Sequence, residues 1–143
     1  MIRVGLIVVV LAFFIGGCKK KQIKNIEKAM VEGTWRITKY IDEGEDFSTA
    51  LSSSTFVFSN NGSVTVTGSG TFLGTWDVAK ENDSDDDDIS DDKHVEFILN
   101  LPAPYEDLSD DWEIESNSDD KLELKDKSHS GESVDYLTFE KIQ

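Results

Sequence analysis

The chain of 143 residues holds one cysteine, two histidines and no apolar run long enough to cross a bilayer. A single thiol cannot close an internal disulfide and cannot by itself furnish a tetrahedral structural metal site. His94 and His129 are the only imidazoles, and both stand in polar, loop-like sequence, which is little material for acid–base chemistry near neutral pH. The Gly-x-Ser-x-Gly, His-Glu-x-x-His, P-loop and dinucleotide glycine patterns are missing too, so neither catalysis nor a cofactor is expected. Positive charge is scarce: 14 Lys and Arg face 29 Asp and Glu, a formal net charge of −15. Such a surface repels phosphate backbones, and nucleic acid is not an expected partner. The length leaves room for a leader and one domain with a modest core.

What is present begins with an N-terminal segment of secretory type. Met1, Ile2 and Arg3 form a short basic start, Val4 to Ile15 is apolar, and Gly16-Gly17 precede Cys18. As a helix the apolar stretch would be roughly 18 Å long, short of the bilayer hydrocarbon, so residues 1–17 read as a signal peptide. Without it the charge becomes −16, because Arg3 is its only charged residue. Phe14-Ile15-Gly16-Gly17-Cys18 resembles the lipobox of bacterial lipoproteins. That resemblance implies cleavage before Cys18, a diacylglyceryl thioether and fatty acyl chains such as palmitate on it, and the lipid bilayer as partner. At about 0.8 kcal/mol per buried methylene, more than one chain gives stable anchoring. Residues 18–28 are expected to be a lysine-rich tether, with Lys19, Lys20, Lys21, Lys24 and Lys28 opposed only by Glu27 and able to lie against an anionic surface. By resemblance to the enterobacterial sorting rule, Lys19 after the cysteine points to the outer membrane, with the domain in the periplasm.

Residues 29–143 form the expected domain. Ile23, Ile26, Met30 and Val31 fall at near-helical spacing, predicting a short amphipathic helix over 22–32 that covers one end of the domain. After Gly33 the period becomes two, and eight strands are predicted around Trp35/Ile37, Phe56/Phe58, Val64/Val66, Phe72/Trp76/Val78, Val95/Phe97/Leu99, Trp112/Ile114, Leu122/Leu124 and Leu137/Phe139. A three-residue loop Asn60-Asn61-Gly62 sets Phe56 opposite Val66 and Phe58 opposite Val64, with Gly62 left-handed in a bulge. The same register arithmetic pairs Trp76 with Phe97, Val78 with Val95, Phe97 with Ile114, Ile114 with Leu122, and Leu124 with Leu137. Neighbour-to-neighbour antiparallel pairing hides its edges best by closing, so an all-β, eight-stranded up-and-down barrel is predicted.

Gly33-Thr34-Trp35 after a short helix resembles the G-x-W signature of the lipocalin and calycin group. Thr55-Phe56-Val57-Phe58, Asn61-Gly62 and Gly74-Thr75-Trp76-Asp77 are similar to the lipocalin-like lipoproteins of Bacteroidetes. The resemblance implies a barrel that holds a small apolar or amphipathic ligand, with Trp35, Phe56, Phe58, Trp76, Phe97, Trp112 and Phe139 as interior contacts. Those rings have an alternative use, which is to fill the barrel and leave a scaffold whose acidic loops meet a partner or cations.

Two acidic stretches remain. Asp83, Asp85 and Asp87 take positions 1, 3 and 5 of a calcium loop, but Asp88 stands where glycine is needed and His94 where a bidentate glutamate belongs. No metal site is expected, only a solvated, self-repelling loop. Glu106, Asp107, Asp110 and Asp111, next to Pro102 and Pro104, read as another rim loop. Carboxylate pairs of glycosidase type would arise there from abundance alone.

Overall fold

A computed structural model of the chain describes residues 19–80, 94–126 and 133–143. The leader, Cys18, the calcium-loop candidates Asp83, Asp85 and Asp87, and His129 lie outside the described residues.

Helix α1 (Lys19–Val31) is built from strong helix formers with no glycine or proline, and it turns Ile26, Ala29 and Met30 into the core. It starts at Lys19, so the residues expected as tether are helical from their second position onward, and the docked face begins within them. Strand β1 (Trp35–Asp42) comes next, then a two-residue β2 (Glu45–Asp46) and a single helical turn α2 (Ser48–Leu51). The remaining strands are β3 (Thr55–Phe58), β4 (Ser63–Thr67), β5 (Thr71–Lys80), β6 (Val95–Asn100), β7 (Asp110–Asn117), β8 (Lys121–Asp126) and β9 (Asp135–Lys141). A 3₁₀ turn, η1 (Glu106–Leu108), lies between β6 and β7.

Strands β3 to β9 pair in sequence order, β1 pairs with β3, and β9 returns to pair with β1. The result is a closed, eight-stranded, antiparallel lipocalin-like barrel, with β2 a short hairpin flap on β1. Closure joins β1 to β9 along its length and to β3 through one pair, Trp35 opposite Phe56, so the two ends of the strand order meet. Along β3, β4 and β6 buried residues alternate with more exposed ones, and the inward set of the whole barrel forms one apolar core.

The first hairpin has the predicted register, Phe56 opposite Val66 and Phe58 opposite Val64, with Gly62 at φ +86° closing the three-residue loop. Leu124 stands opposite Leu137 as expected. Four other residue pairs, in three strand pairings, differ. Trp76 faces Leu99 and Val78 faces Phe97; Phe97 faces Trp112; Ile114 faces Leu124, after which a bulge brings Asn117 opposite Leu122. The β5–β6 and β6–β7 differences are two-residue shifts, which keep every side chain on its own face, so hydrophobic alternation cannot detect them. A bulge between Ile37 and Lys39 likewise resets β1, turning Tyr40 inward where strict alternation would turn it out.

Candidate functional site

The barrel interior is the first candidate, and its contents are aromatic. The Phe58 ring meets Trp76 at 5.3 Å, Phe139 at 5.7 Å and Phe97 at 5.8 Å between centroids, all edge-on. Phe56 meets Phe139 at 5.2 Å in the same way. These are favourable quadrupolar geometries within van der Waals contact. Trp35, Phe56, Phe97 and Phe139 are 0 % exposed, Phe58 1 %, Trp112 2 % and Trp76 8 %. The seven rings named from the sequence are therefore brought into one core cluster, in which Phe56, Phe58, Trp76, Phe97 and Phe139 pack ring on ring.

Both ends are closed by the chain itself. At the end where β1 begins, α1 crosses the opening: Gln22 Nε2 donates to Asn117 Oδ1 in the β7–β8 hairpin, while Lys24, Glu27, Lys28 and Val31 face Asn60 and Gly62 of the β3–β4 loop. Ile26 and Met30 point inward, and the Trp35 indole N–H donates to the Met30 carbonyl at 3.1 Å. The Lys141 ammonium lies 5.1 Å above the Trp35 ring, a cation–π contact that covers its outer side.

At the opposite end the closure is the β6–β7 connection, residues 101–109. Leu101, Tyr105 and Leu108 are buried, and Tyr105 stacks edge-on against Phe56 and Phe72. The Tyr105 hydroxyl shares a 2.8 Å hydrogen bond with Ser54 Oγ, a buried polar pair that satisfies itself. Gly68 makes this possible, because a Cβ there would sit 2.3 Å from the Tyr105 oxygen and 2.9 Å from Ser54 Oγ. Here too an indole pins the closure: Trp112 Nε1 donates to the Leu108 carbonyl at 2.9 Å. The expected acidic rim loop is present, with Glu106 and Asp107 in η1 and Asp110 and Asp111 opening β7, but its apolar members form a plug that the reading by charge missed. A leucine, a tyrosine and a second leucine inside an otherwise acidic, proline-containing connection were the available signal.

Among the described residues a cleft opens beside each closure. The first, of about 290 Å³, runs between α1 and the β3–β4 loop over Trp76, Asp77 and Val78. The second, of about 160 Å³, lies between α2 and η1, with Tyr40, Phe47, Leu51 and Leu108 as apolar walls and Asp42 and Asp107 at its rim. Burial, then the nearby Asp42, Asp107 and Asp135, push the Tyr40 hydroxyl up to about 12. Asp42 is raised as well, by burial first and then by Asp135, Glu43 and Asp107. Drug-sized ligands occupy clefts of about 300 to 1,000 Å³, so the second cleft takes a side chain or fragment at most.

The described residues among the remaining sequence candidates are not gathered into a site. His94 is exposed and lies 3.5 Å from Glu113 on the outer wall. Among the described residues no three His, Cys, Asp or Glu side chains converge as a metal site would require. No described helix is long and apolar enough to cross a membrane. No family model, curated protein or solved structure matches this chain.

Proposed function

We propose that the protein is a non-enzymatic lipoprotein of the cell envelope, anchored through acylated Cys18, whose filled barrel is a scaffold that meets its partners with its rims and outer wall. The observation that supports the scaffold reading is the double closure: Ile26 and Met30 seal one end, Leu101, Tyr105 and Leu108 the other, with interlocked rings between. The anchor rests on the lipobox-like run before Cys18, and an outer-membrane, periplasm-facing location rests on Lys19 behind it.

The other reading is a small apolar or amphipathic ligand held in the barrel mouth, supported by the barrel class and its aromatic content. It requires the Tyr105 plug to swing out. Titration of the protein with a fatty-acid-sized fluorescent probe separates the two. The scaffold reading predicts no saturable one-to-one uptake and no quenching of tryptophan emission; stoichiometric uptake that quenches it overturns the scaffold. Mass spectrometry of the membrane-extracted protein tests the anchor, with a diacylglyceryl mass on a peptide beginning at Cys18 expected. Pull-downs before and after neutralising Asp85 to Asp88 report whether the acidic run recruits a partner.

A further inference from the structure

Lysines crowd together on the outward face of α1. At 3.6 residues per turn, Lys20, Lys24 and Lys28 succeed one another at i, i+4 and i+8, and Lys21 stands beside them, so the four span an arc of about 100°. All four are exposed, and Ile26, Ala29 and Met30 occupy the opposite side, held in the core. Glu27 flanks the arc, half-buried, and does not interrupt it. None of the four makes an ion pair with a described carboxylate, in a chain with more than twice as many acids as bases. Docking of the apolar face fixes the stripe's direction: all four lysines reach solvent on the segment directly behind Cys18, Lys24 and Lys28 from the helix side of the cleft against the β3–β4 loop.

We propose that the Lys20, Lys21, Lys24 and Lys28 face of α1 seats on anionic phospholipid headgroups and sets the barrel with its α1 end toward the bilayer. The far end presents Asp42, Glu43, Asp107 and Asp135 around Tyr40, and an anionic surface repels it. Each lysine close to such a surface contributes on the order of fivefold in partitioning, about 1 kcal/mol, and the contribution decays within a Debye length. The inference rests on the anchored reading only for bringing the chain to the membrane; the stripe itself belongs to the folded domain.

Lysine-labelling footprints of the full, acylated protein in vesicles test it. One set of vesicles is phosphatidylcholine alone, the other equal parts phosphatidylcholine and phosphatidylglycerol. With phosphatidylglycerol, labelling of the four stripe lysines should slow severalfold relative to Lys39 and Lys125 and recover at high salt, with no slowing in phosphatidylcholine. The exposed double variant Lys24→Glu/Lys28→Glu should lose the protection at Lys20 and Lys21 as well. Equal labelling in both vesicle types overturns the proposal. So does protection already complete in phosphatidylcholine, which would mean that the chain's own acidic run over 81–93 covers the stripe. The mass of the Cys18 peptide from the same sample reports acylation separately, so a missing lipid overturns the anchor without bearing on the stripe.

Discussion

The two ends of the barrel solve one problem with different means. Each must cover a ring of inward apolar side chains, and each uses a tryptophan indole to hold a backbone carbonyl of its closure, Trp35 to Met30 and Trp112 to Leu108. The α1 end is covered by regular structure, a helix whose own backbone is satisfied before it docks. The far end is covered by irregular chain, residues 101–109, whose backbone needs local partners: Tyr105 N–H donates to the Pro102 carbonyl, and Leu101 N–H to Ser109 Oγ. A helix closes by laying down a stripe; an irregular segment closes by placing single side chains, which makes it depend on each of them.

That contrast can be broken most severely by truncating each closure in turn. Leu108→Ala and Met30→Ala each remove a fully buried side chain and should cost about 2 to 5 kcal/mol in chemical denaturation. Leu108→Ala should cost more, because neighbouring side chains of a docked helix can shift along the stripe and those of η1 cannot; a larger loss for Met30→Ala would reverse the comparison. Next comes Gly68→Ala, whose Cβ collides with the Tyr105 and Ser54 oxygens and should cost about 1 to 3 kcal/mol by overpacking. The α1 end should be untouched, so hydrogen-exchange protection should fall around 101–109 and hold in α1. A smaller effect is expected from the Ser54–Tyr105 bond itself. A double-mutant cycle with Ser54→Ala and Tyr105→Phe should return a coupling of about 1 kcal/mol, and a value near zero would leave the plug held by packing alone.

The smallest effect is electrostatic. Asp42 holds its proton more tightly in the folded state than its ordinary value of 3.8 allows, owing to burial and to Asp135, Glu43 and Asp107. A raised folded value favours the native state below the ordinary value, and that advantage disappears as pH rises through the folded one. Asp42→Asn should therefore melt at a higher temperature than the parent at pH 7 in low salt, the difference closing as pH falls below the ordinary value. A difference that persists in acid would point to packing instead of charge.

Much of this was legible beforehand, for identifiable reasons. Period-two alternation at Phe56/Phe58, Val64/Val66 and Leu122/Leu124 marked strands, because a barrel wall has one dry face and one wet one. Asn61-Gly62 marked its hairpin, since Gly62 takes a positive φ with little cost. The ring set was legible as interior. Whether those rings line a space or fill it was not, since that depends on the distances between rings contributed by strands far apart in sequence.

By itself, then, the sequence determined the class of element along most of the chain, which faces turn inward, the amphipathic helix and the lipobox-like segment before Cys18, because all of these are written in local order. Tertiary structure alone decided the two-residue registers of β5, β6 and β7, the inward turn of Tyr40 and the plug of Leu101, Tyr105 and Leu108. Shifting a strand by two leaves its pattern unchanged, and an irregular segment has no period to read. Both are settled only when the barrel closes and its remaining volume must be filled.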